Sequence, residues 1–443
     1  MIDKNKIKRY NKTRTFSKRK IICHAPEKTL RFSLSGNILA CCYNRKYSLG
    51  KFPEDNLHDI WFGNKRKVLA NRIFENDFSL GCHKCKDEII NENFNSVGAK
   101  QYDYLQESSL GFPVMFDFEI SNICNLECIM CSGENSSLIR KNIEKLPPLI
   151  SPYNDDFVYQ LQEFLPHLRE ARFVGGEPFL MDINYKIWEK IIELNPNIEI
   201  SVLTNGTIFN DRIKDLLKKG NFKISISIDS FNKQTYESIR KNADFEEVMS
   251  NLKYFHSHSK ENKYTFNINI CPIRQNWKEL PEIVNYCNKN NFNIIFHTVV
   301  FPPNTSLWNL SKEELTRIIE FLNKSKFKGK TKQEKANEAV YNNLIKQLEN
   351  WEEKSYDKKS DNMLYNMTVE ELKQSLYRKI KEQSEKDKYI DTIEKSFETI
   401  QDFEIIHKAL ISLNKMSVKD IIAEIEISTQ EKITERIKTA ARI

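Results

Sequence analysis

Glycine and proline are scarce, with 12 and 13 among 443 residues, and cysteine numbers 10. Their placement says more than their number. The last cysteine is Cys287, the last proline Pro303 and the last glycine Gly329, so the closing 114 residues hold none of the three. A stretch without chain breakers reads as helix. Long apolar runs are missing too: no window approaches the ~18 consecutive apolar residues of a membrane span. The basic N-terminus is not followed by an apolar run, so no secretory signal is expected and the chain reads as cytoplasmic. Charge of one sign is confined to a tail. Nine of the cations behind the net charge of +7 lie in residues 1–20 against one acid, Asp3, and the rest is close to neutral. Nine cations without interleaved aromatics read as a solvated, disordered tail, not as a nucleic-acid surface. With 40% hydrophobic and 11% aromatic residues, the chain as a whole is not disordered.

These gradients divide the chain. Residues 1–20 form the tail, 21–105 are loop-rich with five cysteines, 112–304 alternate strand-like and helical runs, and 305–443 read as helix. β-Branched, strand-like runs fall at 114–120, 171–174, 198–203, 222–228, 265–270 and 293–299. Helical patterns at 157–168, 185–194, 211–219, 235–255 and 279–289 separate them. Such alternation argues for βαβ units and a parallel sheet. Six units in about 190 residues fit an open, partial (β/α)6 barrel of the TIM type, although a doubly wound sheet alternates in the same way.

The chemistry lies in the cysteines. The first barrel strand ends in Cys124, Cys128 and Cys131, a C-x3-C-x2-C loop. A closed structural metal site wants four ligands, whereas three thiolates on a [4Fe–4S] cube leave one iron open. Chance clustering of buried thiols is the bland alternative. Further motifs follow later strands: Gly175-Gly176-Glu177-Pro178 after the second, Thr204-Asn205-Gly206 after the third, and Ser225, Ser227 and Asp229 toward the end of the fourth. All sit at strand C-terminal ends, the functional face of such a barrel.

With these residues the sequence resembles the radical S-adenosylmethionine (SAM) superfamily. The resemblance implies that Cys124, Cys128 and Cys131 hold a [4Fe–4S] cluster whose open iron chelates SAM. It implies that Gly175, Gly176, Glu177 and Pro178 contact the SAM amino group. Thr204, Asn205, Ser225 and Ser227 would supply polar contacts, Arg240 would meet the carboxylate, and Met130 would stand near the adenine where relatives have an aromatic. Cleavage would yield a 5′-deoxyadenosyl radical that abstracts a substrate hydrogen, with the electron from a low-potential donor such as flavodoxin or ferredoxin.

A second cysteine group precedes the barrel: Cys23, the pair Cys41-Cys42, then Cys82 and Cys85; His24 and His83 flank these and read as exposed loop histidines or as substitute ligands. Strand 29–34, turn 35–37, return strand 38–40, Ser48-Leu49-Gly50 and a helix over 56–62 complete the order. This resembles the twitch domain, the short form of the SPASM domain, which implies an auxiliary [4Fe–4S] cluster on Cys23, Cys42, Cys82 and Cys85. Cys41 is the alternative to Cys42, because alternation turns neighbours to opposite faces. A structural zinc competes, since C-x2-C suits it equally well.

Other candidates are single residues. Cys271 ends the fifth strand, either as a catalytic hydrogen donor or as a packed thiol, and Cys287 reads as core. Asp117 and Glu119 point one way, into the barrel, where buried acids are expensive unless paired; they are either site candidates or partners of Arg172 or Arg274. Asp229, at a strand end, is the stronger polar candidate for a catalytic role. Ser311 with Glu314 and Thr368 with Glu371 form capping boxes. Ala336, Val340, Leu344, Leu348 and Trp351 make one helical stripe. The C-terminal helices either close the barrel side or dock a protein partner. By the resemblance, the substrate is a ribosomally made peptide (crosslinking, epimerisation or dehydrogenation). A carbohydrate- or nucleotide-like metabolite is the alternative, and a non-catalytic cluster scaffold the second.

Overall fold

Within the computed structural model, residues 2–15, 17, 21–106, 110–354, 361–384, 387–400 and 402–441 are described. The chain divides into two packing units. The first comprises Met1–Ile123, Leu149–Thr204 and Ile208–Lys223; the second comprises Cys124–Pro148, Asn205–Thr207 and Ile224–Ile443. The class is mixed α/β with parallel strands and a helical C-terminal region, as the alternation implies.

In the first unit the strands are β1 (Thr29–Phe32), β2 (Asn37–Leu39), β3 (Gly50–Lys51), β4 (Met115–Phe118), β5 (Glu170–Phe173) and β6 (Glu199–Thr204). Their order is β3-β2-β1-β4-β5-β6. The β1–β2 hairpin of the cysteine-rich segment is therefore not a separate layer. β1 pairs in parallel with β4, Thr29 opposite Met115 through Phe32 opposite Phe118. Backbone bonds from Val114 N to Lys28 O (2.8 Å) and from Glu119 N to Phe32 O (2.9 Å) extend the ladder at both ends. The expected boundary near residue 110 is a boundary in sequence pattern, not in packing.

This register gives the sheet two different faces. Phe32, Phe118, Phe173 and Val202 lie in one row across β1, β4, β5 and β6. They join a buried aromatic core, with Phe118 stacked on Phe173 at 4.6 Å and on Phe32 at 4.9 Å. The preceding row, Arg31, Asp117, Arg172 and Ser201, is polar and faces the other way.

The basic N-terminal segment differs from the disordered tail read in the sequence. Lys4–Lys12 is a helix capped by Asp3, and Tyr10 is fully buried. Its charges find partners far along the chain: Arg14 makes a bidentate pair with Asp103 (2.6 and 2.7 Å), and Arg9 meets Glu92 at 2.7 Å. Residues 16 and 18–20 of that tail lie outside the described residues.

β7 (Asn221–Ser227) begins in the first unit and continues into the second, where β8 (Asn267–Ile270) and β9 (Asn293–Phe296) follow in parallel. The single helix read over 235–255 is two, Lys233–Ile239 and Phe245–Glu261. The break has local causes: Asn242 is left-handed (φ 73°), and Asp244 caps the second helix. Both capping boxes form. Helix Lys332–Lys354 packs beside β9, its Asn337 side chain accepting from Ile294 N and donating to Phe292 O. Its buried stripe is Tyr341, Leu344, Ile345, Leu348 and Trp351, while Ala336 is exposed; the stripe is rotated by about one residue from the expected one. Six helices from Asp361–Tyr365 to Gln430–Ala440 share their own apolar core around Leu372, Leu376, Ile393 and Leu410. Among the described residues no helix is long and apolar enough to cross a membrane.

Candidate active site

The C-x3-C-x2-C loop lies in the second unit and is pinned along its backbone. Glu127 N donates to Lys241 O (3.1 Å) and Ile129 N to Ile239 O (2.9 Å), which sets Arg240 opposite Cys128. Cys131 N closes a turn onto Cys128 O at 3.0 Å. Cys124 N donates to the Ser137 hydroxyl (3.2 Å), and the Ser136 hydroxyl donates to Leu126 O.

Cys124 and Cys128 each carry an outside donor. Asn205 Nδ2 lies 3.9 Å from Cys124 Sγ and donates to Asn125 Oδ1 at 3.0 Å. Arg240 Nη1 lies 3.9 Å from Cys128 Sγ. Burial pushes the Cys128 thiol up to about 11, and Arg240 works against that shift. Arg240 is itself buried, with Nη2 2.8 Å from Asp229 Oδ2. Asp229 is fully buried, and its Oδ1 accepts from Cys271 N (2.7 Å). Both carboxylate oxygens are thus engaged by the protein, which sets Asp229 behind Arg240. Cys271 and Met130 are partly buried and pack with Ile129 on Ile239, Ile273 and Val299. Burial raises the Cys271 thiol, with the Asp229 charge adding to the rise. Ser225 and Ser227 stand half-buried on β7, Ser225 accepting from Asn267 Nδ2. Cys287 is core.

The glycine motif belongs to the first unit and leans on the residue before Cys124. Gly176 adopts φ 42°, and a Cβ there would stand 2.2 Å from Ile123 O, so only glycine fits. Glu177 N donates to the same carbonyl at 2.7 Å. The Glu177 side chain is fully buried: Oε1 accepts from Phe179 N and from the Thr204 hydroxyl (2.8 Å), holding the short turn that Pro178 opens. Glu177 and Thr204 therefore brace the turn, leaving the backbone of Gly175 and Gly176 as its approachable part.

The N-terminal cysteines, also in the first unit, do come together. Cys23, Cys41, Cys82 and Cys85 line one cavity with Tyr43, Asn44 and Tyr102. Cys42 is not among them. Its thiol turns the opposite way, near Arg31 and Asp117, and is hydrogen-bonded by Tyr102. The neighbours do face opposite sides, but the side that meets the cavity is that of Cys41, a correction to the expected order. Each lining thiol accepts an N–H: Cys23 from Ala25, Cys41 from Asn44 N and Cys82 from Asn44 Nδ2, each at 3.4 Å, and Cys85 from Gly98 and Ala99. Asn44, which binds two of them, carried no signal in the sequence. Hydrogen bonds to ligand sulfurs suit an iron–sulfur cluster. His24 is buried and His83 exposed, and neither lines the cavity.

Asp117 and Glu119 meet neither Arg172 nor Arg274 as their main partner. Arg31 on β1 donates to both, to Glu119 at 2.5 Å, while Arg172 pairs with Glu170. Arg31 was missed because the need for it appears only once β1 lies beside β4.

Residues 118–287 match the radical SAM superfamily, and residues 23–86 match an iron–sulfur cluster-binding domain, SPASM. The chain thus carries a radical SAM domain preceded by a SPASM-type iron–sulfur cluster-binding domain; SAM, a [4Fe–4S] cluster and an auxiliary iron–sulfur cluster are the cofactors of these two domains. A GTP 3′,8-cyclase of Limosilactobacillus fermentum is 28% identical over 183 residues, 40% of this chain and 51% of that protein. The chain thus spans about half the length of this curated relative. Among solved structures, native anSMEcpe with bound AdoMet superposes with a TM-score of 0.37 at 21% identity, over 46% of this chain and 58% of that one. Streptococcus suis SuiB bound to S-adenosylmethionine gives 0.36 at 15% identity, over 67% and 68%.

Proposed function

We propose that the chain reductively cleaves SAM and abstracts a hydrogen atom from a ribosomally made peptide. One observation carries the reading: Cys124, Cys128 and Cys131 leave a single loop whose backbone is fixed by residues 239 and 241, with a buried cation against Cys128. When bound, the cluster supplies the electron that splits SAM into methionine and a 5′-deoxyadenosyl radical. The chain's own residues bind and orient. Arg240 Nε is buried and without a hydrogen-bond partner, a donor suited to the SAM carboxylate. Ser225 and Ser227 offer hydroxyls, and Gly175 and Gly176 offer backbone to the amino group. Met130 and its apolar neighbours exclude water. Cys23, Cys41, Cys82 and Cys85 hold the auxiliary cluster.

The peptide assignment rests on the SPASM-type domain, since radical SAM enzymes with this module mostly modify peptides. A nucleotide is the second reading, favoured by the GTP 3′,8-cyclase relative. Deuterium tracing separates them. The reconstituted chain, SAM and dithionite are mixed with a deuterated peptide encoded beside the gene or with deuterated GTP. Label in 5′-deoxyadenosine from the peptide supports the proposal; label from GTP alone overturns it.

A further inference from the structure

The segment between the two helices of residues 233–261 does more than turn the chain. Backbone bonds on either side of it, at residues 239 and 241, lock Arg240 opposite Cys128. The guanidinium then has little freedom: Nη1 is 3.9 Å from Cys128 Sγ and Nη2 is 2.8 Å from Asp229. Asp229 is held in turn. Cys271 N donates to its Oδ1, and Asn276 Nδ2 bonds both the Asp229 carbonyl (2.8 Å) and the Cys271 carbonyl (3.0 Å). Asn276 is fully buried. A fixed cation therefore faces one thiolate ligand, and a fixed anion stands behind that cation, all out of water.

Electron uptake by an iron–sulfur cluster adds one negative charge, and the potential responds to nearby charge and to hydrogen bonds on the ligand sulfurs. A buried cation beside Cys128 favours the reduced form, and a buried anion behind it opposes that effect. We infer that Arg240 and Asp229 are a pair of positioning residues that sets the reduction potential of the cluster on Cys124, Cys128 and Cys131, with Arg240 raising it and Asp229 holding the rise in check. The inference rests on the cluster reading above. The step is a one-electron transfer from a low-potential donor to the oxidised cluster, with no bond made or broken.

The test is a redox titration of the reconstituted full-length protein followed by electron paramagnetic resonance. The signal is assigned to this cluster by its change on adding SAM. Arg240→Gln is expected to lower the midpoint by at least the ~59 mV that corresponds to a tenfold change in a one-electron equilibrium. Asp229→Asn is expected to raise it. Arg240→Lys, which keeps the charge, restores the wild-type value more closely than Gln. Opposite shifts at unchanged iron content support the pair, because a merely structural defect moves both variants alike. Shifts of the same sign, or no shift in either, overturn it. If Arg240→Gln loses its iron, the Asp229→Asn titration decides, and a midpoint at or below wild type refutes the inference. A wild-type protein with no SAM-responsive signal refutes the underlying cluster reading instead.

Discussion

Replacing Arg31 with Met probes the charge that ties β1 to β4. The Arg31 side chain is 7% exposed and lies between Asp117 (9%) and Glu119 (23%). Asp117 Oδ1 already has no hydrogen-bond partner. Removing the cation leaves an uncompensated buried carboxylate, a loss of about 3–5 kcal/mol in unfolding free energy. Asp117→Asn keeps Arg31 paired with Glu119 and should cost less, about 1–3 kcal/mol. Combining it with Arg31→Met should recover part of the larger loss, because a neutral amide tolerates burial better than a carboxylate. The pH dependence has a definite sign. Burial holds the Asp117 carboxyl above its usual range, and Arg31 opposes that shift. A carboxyl whose folded pKa lies above its unfolded value is stabilised by protonation, so stability falls as pH rises through that range. Without Arg31 the upward shift grows. The deficit of Arg31→Met should therefore be smaller near about pH 5 than near about pH 8. Urea unfolding of the reconstituted protein, followed by circular dichroism at both pH values, measures it. A deficit below about 1 kcal/mol, or one equal at the two pH values, refutes the reasoning.

Two further outcomes follow from the sites. Cys41→Ala should halve the iron content, from about eight to about four per chain, whereas Cys42→Ala should leave it unchanged; the reverse pattern restores Cys42 as the ligand. Gly176→Ala should cost about 1–3 kcal/mol from its left-handed backbone alone. Because the added Cβ strikes Ile123 O, the residue before Cys124 must move, and the Kd for SAM should rise with iron content retained; unchanged SAM affinity contradicts that coupling.

Legibility in the sequence tracked the range of the interaction. The two cysteine sets and the glycine motif are local, so they could be read in the sequence and matched to a family. Strand positions were readable because apolar runs and helix signals alternate over short distances, and both capping boxes formed as written. What was hidden depends on contacts distant in sequence. Arg31 serves Asp117 only because β1 lies in parallel with β4, 86 residues away. Asn44 reaches Cys82 only once residue 44 stands over the cavity. The basic N-terminal helix forms against Asp103 and Glu92, acids that composition counts but does not place. Strand alternation separated Cys41 from Cys42 but could not say which one meets the cavity, because β2 ends at Leu39. The helix break at Arg240 was invisible to apolar periodicity, since its purpose is pairing with the cysteine loop.

The central claim is that Cys124, Cys128 and Cys131 hold the cluster that cleaves SAM. Its most direct test is the formation of 5′-deoxyadenosine from SAM by the reconstituted protein with dithionite, under strict exclusion of oxygen. The account predicts steady 5′-deoxyadenosine production by the wild type and none by Cys124→Ala. Equal amounts from the two proteins, or none from the wild type at full iron content, would contradict it.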